Sequence, residues 1–242
     1  MPQTPETGFW SDPGSECRMA RKLCFHAGLQ VSTEIDPDRP ACPAEAEVAC
    51  SNHARRIDST TAVCGTLSEI YIRRLELVDA EALLELLMRE REFLKPWQEA
   101  RPDSFFTLAA QRRVLEQVTA AGATRIDFGI FLEATDELVG RVQLSGIAPA
   151  PFESAYLGYS VSERYNGRGY ATEAVRQGLD VAFGELELHR VQAAVMPINR
   201  ASIRVLEKAG FREEGLALRY LQINGVWEDH KLFAMTAEEW RR

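Results

Sequence analysis

The pattern of hydrophobic and polar positions changes character near residue 70 of this 242-residue chain. Before about residue 66, apolar residues show no sustained period, and Pro, Thr, Ser, Asp and Glu dominate. Such a segment cannot bury enough apolar surface to offset its ordering entropy, so residues 1–66 are expected to be disordered or a non-native extension. From Ile70 the pattern becomes regular. I-Y-I-R-R-L-E-L (70–77) reads as a strand. Asp79 is placed to cap a helix over 80–94, with Leu83, Leu84, Leu87, Met88 and Leu94 at helical spacing and Pro96 as its stop. A second helix is predicted from Ser104 to Ala121, ended by Gly122. Residues 125–133 and 138–147 read as a hairpin, and 154–162 as a further strand. A helix over 170–183, a strand over 189–195 and a helix over 199–209 with Gly210 behind it follow. Asn224-Gly225 closes a last hairpin through a type I′ turn.

The predicted order is β-α-α-β-β-β-α-β-α-β-β, a mixed α/β chain with no internal repeat. One domain over 67–242 accounts for it. Composition fits: 45% of residues are hydrophobic and 26% charged, the balance of a globular protein. No run of about 18 apolar residues predicts a membrane span. The N-terminus lacks the basic and apolar regions of a secretory signal, so a cytoplasmic location is expected. Net charge is −8, which disfavours nucleic-acid binding because phosphate neutralisation needs surplus Lys and Arg. It is compatible with a cationic acceptor. Cys17, Cys24, Cys42, Cys50 and Cys64, with His26 and His53, all lie within the first 64 residues. Their gaps are irregular and no C-x-x-C pair occurs, so no metal site is expected.

The chemistry concentrates in E-R-Y-N-G-R-G-Y-A-T-E-A (163–174). A strand enters this loop and a helix leaves it. Backbone N–H groups at a helix N-terminus lack internal partners and carry partial positive charge. Gly167 and Gly169 allow close backbone approach, and Arg164 and Arg168 add charge, so the loop is a phosphate cradle in principle. It is not a dinucleotide fingerprint, because Thr172 stands where the third glycine belongs. It is not a nucleotide P-loop either.

R-Y-N-G-R-G (164–169) matches the Q/R-x-x-G-x-G/A signature of the GNAT N-acetyltransferases. P-I-N-R-A-S (197–202), V-L-E-K-A-G-F (205–211) and I-N-G-V-W-E-D-H (223–230) follow in the expected order, with F-L-K-P-W (93–97) upstream. Together these resemble the ribosomal-protein-alanine N-acetyltransferases, and within them the RimJ-like group, over about residues 69–240.

The resemblance implies a GNAT fold, acetyl-CoA as donor and a primary amine as acceptor. It implies that the pyrophosphate lies on the loop from Arg164 to Ala171, through Asn166, Gly167, Arg168, Gly169 and Tyr170. It implies that the pantetheine pairs along Tyr159, Ser160 and Val161, where a bulge and a splay expose N–H groups able to polarise the thioester carbonyl. Asn199 is placed near the pantetheine, at the cap of its helix. The tyrosine many members carry before the G-F pair is replaced by Leu206. Ser202 is then the expected acid for the leaving sulfur. Glu214 is the catalytic carboxylate singled out among Glu163, Glu173, Glu228, Asp229 and His230; a proton relayed by water is the alternative. Trp97, Tyr156, Tyr220 and Trp227 are expected to line the acceptor groove. The expected acceptor is a protein N-terminal α-amine, as in ribosomal protein alanine acetylation. Two rivals remain: a small amine (polyamine, amino sugar or amino acid), and a non-catalytic acyl-CoA sensor.

A start codon near Val63 or Leu67 would remove the first segment altogether. The intact mass of the natural protein tests this, and a species beginning at Met1 contradicts it.

Overall fold

A computed structural model describes residues 68–241. The expectations for residues 1–66, including the cysteines, His26 and His53, lie outside these residues. Seven strands form one sheet in the order β1-β2-β3-β4-β5-β7-β6. They are β1 (Ile70–Arg74), β2 (Arg125–Leu132), β3 (Leu138–Ala148), β4 (Ser154–Val161), β5 (Arg190–Val195), β6 (Arg212–Ile223) and β7 (Val226–Thr236). Every neighbouring pair is antiparallel except β4 and β5. A parallel pair needs a crossover, and helix α3 (Tyr170–Asp180) supplies it.

Side chains alternate across the sheet, so each face has its own core. On one face, Ile130, Val142, Leu144, Ala155 and Leu157 meet Ala174, Val175 and Leu179 of α3 and Leu206 of α4 (Arg200–Ala209). On the other, Phe131 and Leu138 meet Leu83, Leu86 and Leu87 of α1 (Ala80–Arg89) and Leu115 of α2 (Leu108–Thr119). Helix α3 lies close to the sheet because residue 178 is Gly: a Cβ there would meet Val142 Cγ1 at 3.1 Å. Gln177, one residue earlier, accepts from the Ile72 amide at 2.9 Å and donates to the Ile70 carbonyl at 3.2 Å. It thereby occupies the free edge of β1, which otherwise invites another strand.

The predicted element order is the observed one, with local differences. The first strand ends at Arg74, and a 3₁₀ turn (Leu77–Asp79) follows. Asp79 does not cap α1 with its side chain. The carboxylate instead takes the Arg73 guanidinium at 2.8 and 2.7 Å and the Glu76 amide at 2.8 Å, a bidentate pair that outcompetes a single cap bond. The predicted long helix breaks at Glu90, giving α1 and a short turn, Arg91–Leu94. The 104–121 helix starts later, where Thr107 accepts from the Ala110 amide. A short last helix, α5 (Ala237–Trp240), was not predicted. Gly210 takes the left-handed conformation behind α4, φ +96°. Asn224 and Gly225 both have positive φ, as a type I′ turn requires.

Leu206 is fully buried beneath the sheet at the foot of α4. Leu206→Ala is expected to lower unfolding free energy by roughly 2–5 kcal/mol in a denaturant titration; a loss below about 1 kcal/mol contradicts this packing.

Candidate functional site

The glycine loop begins where β4 ends. Ser162 leaves the strand, a 3₁₀ turn covers Glu163–Tyr165, and Gly167 and Gly169 take φ of +79° and +86°. Only glycine enters this region without strain. An added Cβ at either position would meet nothing within 4 Å, so space is open above both. Gly169 is the N-cap of α3, and no side chain caps the helix. Its first N–H groups therefore point at open space with the positive end of the dipole behind them. That is the donor set a pyrophosphate needs.

The two loop arginines differ in a way the sequence does not reveal. Arg164 is paired with Glu137, which also accepts from the Tyr165 hydroxyl at 3.0 Å. Arg168 has no carboxylate partner among the described residues and lies over the Tyr165 ring, 5.3 Å from its centroid. Arg168 is thus the cation available to a phosphate. Tyr170 is tied to Glu69 at 2.6 Å, and Asn166 and Ala171 lie along the loop and first helical turn.

Glu90 is a site residue that motif reading missed. Its carboxylate is buried and accepts from Ser162 Oγ at 2.6 Å and the Glu163 amide at 2.9 Å, with Arg89 Nε at 3.1 Å. The helix break at Glu90 therefore clamps the entrance of the glycine loop to α1. Burial pushes the Glu90 pKa up, but these hydrogen bonds outweigh it and hold the carboxyl below its usual range. A signal existed: Glu90 follows Leu83, Leu86 and Leu87 by seven, four and three residues, so an acid sits on the buried stripe.

Beyond the loop, β4 and β5 part. They pair from Ser154↔Arg190 to Tyr156↔Gln192. Past that point β4 runs on to Val161 and β5 to Val195 without pairing. The expected bulge at Tyr159–Val161 is absent, since β4 stays in register with β3 from Tyr156 to Val161. Divergence of the two strands alone makes the opening. The irregularity of this pair lies at the other end of β4, where β3 carries an extra residue between Ser145 and Ala148. Backbone groups of Tyr159, Ser160 and Val161 on the β5 side are left without a strand partner.

Alternation sends Tyr159 to the α4 face and Ser160 to the other. Tyr159 is partly buried, and its hydroxyl lies 2.8 Å from Ser202 Oγ and 3.0 Å from the Ser202 carbonyl. Burial pushes the Tyr159 pKa up to about 12, so it stays protonated. Asn199 caps α4 by accepting from the Ser202 amide at 3.1 Å. Ser202 is thereby fixed from two sides at the mouth of the opening. The predicted pair Asn199 and Ser202 does converge with Tyr159.

Glu214 does not. It sits on β6, held by Arg190 Nη1 at 3.1 Å and Arg212 Nη2 at 3.0 Å. The Arg190 bond, with Arg212 adding to it, holds its pKa below the usual carboxylate range, which makes it a poor base. Arg190 also marks the closed end of the β4–β5 pair, opposite Ser202.

The acceptor-side candidates divide similarly. Trp97 lines a cavity of about 190 Å³ against Gly158, Tyr159 and Ser160, with Leu94, Gln98, Arg141 and Gln143. Tyr156 is on that face, one alternation from Gly158, and Tyr220 packs against His230 with tilted rings, centroids 5.6 Å apart. Burial, with Tyr156 adding to it, raises the Tyr220 pKa. Trp227 lies out on the exposed hairpin. Asn224 at the tip of that hairpin donates to the Lys95 carbonyl at 2.7 Å and bridges it to the turn carrying Trp97. Among the described residues, no cluster of His, Cys, Asp or Glu could hold a metal, and no helix is long and apolar enough to cross a membrane.

The profile of the acetyltransferase (GNAT) domain matches residues 69–212. The chain is 45% identical over 168 residues to the probable N-acetyltransferase YjcK of Bacillus subtilis, covering 69% of this chain and 93% of that one. It is 30% identical over 177 residues to the ribosomal protein uS5 alanine N-acetyltransferase of Escherichia coli, covering 72% and 91%. Mycobacterium smegmatis RimJ, solved in complex with CoA-disulfide, superposes with a TM-score of 0.67 at 32% identity, covering 72% of this chain and 84% of that one.

Glu90→Gln keeps the shape but removes the charge that holds the loop entrance. Calorimetric CoA affinity is expected to fall about tenfold or more, because a hydrogen bond to a charged group contributes roughly 1.5–3 kcal/mol. Unchanged affinity contradicts the clamp. Since the folded pKa of Glu90 is depressed, its stabilisation is complete above the ordinary carboxylate range and fades only as pH falls through the folded pKa.

Proposed function

The chain belongs to the acetyltransferase (GNAT) domain family, and from that premise we propose that its acceptor is the N-terminal α-amine of a protein, as in ribosomal protein alanine acetylation. It is an acetyl-CoA-dependent N-acetyltransferase. Acetyl-CoA supplies an activated acetyl group, and the acceptor nitrogen displaces the thiol as the C–N bond forms and the C–S bond breaks.

The residues divide the work by face. Arg168, the N–H groups from Gly167 to Ala171 and the end of α3 suit the pyrophosphate. The unpaired edge at Tyr159–Val161 suits the pantetheine amides and can polarise the thioester oxygen. Ser202 Oγ is the proton donor for the leaving sulfur, with the Tyr159 hydroxyl behind it as a second donor. Ser202 Oγ passes its proton to the departing thiolate and is reprotonated by water, which takes up the proton that the acceptor ammonium loses.

The observation that carries the acceptor assignment is the cavity behind Ser160. It lies across β4 from Ser202, so an amine reaches the opening from one face while the donor lies on the other. At about 190 Å³ it is smaller than the ~300–1,000 Å³ of common ligand pockets, and admits a chain end led by a small residue. An α-amine has a pKa of about 7.7–8.0, so much of it is already neutral at pH 7.5. That suits a site whose predicted carboxylate, Glu214, is locked in ion pairs away from Ser202. Water can carry the proton away.

Thiol release from acetyl-CoA is expected with peptides bearing N-terminal Ala or Ser, rising with pH to a plateau above about 8 as the amine loses its proton. Ser202→Ala is expected to lower kcat by roughly 10²-fold while leaving CoA affinity nearly intact. Turnover of spermidine but no peptide overturns the acceptor assignment. A Ser202→Ala enzyme of full activity overturns the acid.

A further inference from the structure

The cavity behind Ser160 contains a guanidinium with no direct ion-pair partner among the described residues. Arg141 on β3 faces it, directly opposite Ser160 in the ladder, and Gln143 lies opposite Gly158. Gln98 closes the third side. Among the described residues, none of these three side chains has an ion-pair or hydrogen-bond partner, apart from what the cavity itself offers. The nearby carboxylates are already taken. Asp127 is buried and gripped by Arg125 at 2.8 and 2.6 Å, and Glu99 is paired with Arg101. Three guanidinium groups thus face two carboxylates. Burial pushes the Arg141 pKa down; Asp127 pulls the other way, and Arg125 and Arg101 add to the depression. Leaving a guanidinium partly desolvated and unpaired costs free energy unless something enters to pair with it.

We propose that Arg141, between Gln98 and Gln143, recognises the acceptor by taking a carboxylate set close to the reacting amine. Resting on the α-amine reading above, this gives the substrate class: an acidic side chain in the first residues of a protein, or the α-carboxylate of a free amino acid. A planar guanidinium holds a carboxylate through two parallel bonds, and the two glutamine amides can hydrogen-bond the flanking groups. The same geometry rejects polyamines, because a second ammonium in the cavity would sit beside an uncompensated cation.

The test uses the full chain, acetyl-CoA and matched acceptors: peptides beginning Ala-Asp and Ala-Asn, free alanine and alaninamide, and spermidine. The wild type is expected to favour the carboxylate member of at least one pair by about tenfold or more in kcat/KM. R141Q is expected to bring that ratio close to one, and R141K to keep part of it. The ratio is internal to each variant, so a general loss of activity does not mimic the result. A preference among the peptides identifies the side chain as the source. A preference for free alanine with no peptide turned over keeps Arg141 in this role and rejects the protein N-terminus. Peptides turned over without preference keep the α-amine reading and reject this one, as does a preference that survives in R141Q, or spermidine as the best acceptor. Calorimetric binding of the acetylated Ala-Asp and Ala-Asn peptides to the CoA-bound protein decides the matter even without turnover: equal affinity, or a difference that persists in R141Q, overturns the proposal.

Discussion

The structure turns on the parting of two parallel strands. β4 and β5 exchange bonds over three residue pairs and then separate. A parallel pair that continued would satisfy its backbone groups internally and leave a closed sheet. Separation leaves the edge of β4 open at Tyr159–Val161, in line with the glycine loop at the end of the same strand. One strand therefore carries both the unpaired edge and the entrance to the glycine loop. It also separates the Ser202 face from the Arg141 face.

The surroundings keep that geometry rigid. Gly178 brings α3 close to β3, which sets the height of the helix N-terminus above the sheet. Glu90 ties the loop entrance to α1 on the opposite face. The Tyr159–Ser202 contact ties β4 to α4 across the mouth of the opening. These contacts join elements that are distant in sequence, at β4, the loop that follows it and the neighbouring β3. Holding reactants in a fixed geometry can supply much of the rate of a group transfer.

What was legible in the sequence was local. Gly167 and Gly169, the Asn199 cap with Ser202 three residues on, Gly210 behind its helix and the Asn224-Gly225 turn all act within a few residues of themselves, and all stand where their chemistry placed them. Long-range partners were not legible. Glu90 finds Ser162, Tyr159 finds Ser202, and Glu137 neutralises Arg164 only because the fold brings distant segments together. Glu214 shows the converse: by residue type it was a candidate base, but Arg212 on the same strand and Arg190 on β5, beyond β7, hold it in ion pairs. Asp79 likewise reads as a cap and serves instead as the partner of Arg73. Arg141 sat unnoticed inside a strand, since no spacing marks a cation that lacks a partner.

The most direct test of the account is a crystal structure of this chain with CoA and an N-terminal peptide bound together. The account predicts the sulfur in the gap between β4 and β5, within hydrogen-bond reach of Ser202 Oγ, and the peptide amine entering from the Arg141 side. A sulfur outside that gap, or a peptide on the α3–α4 face, would contradict it.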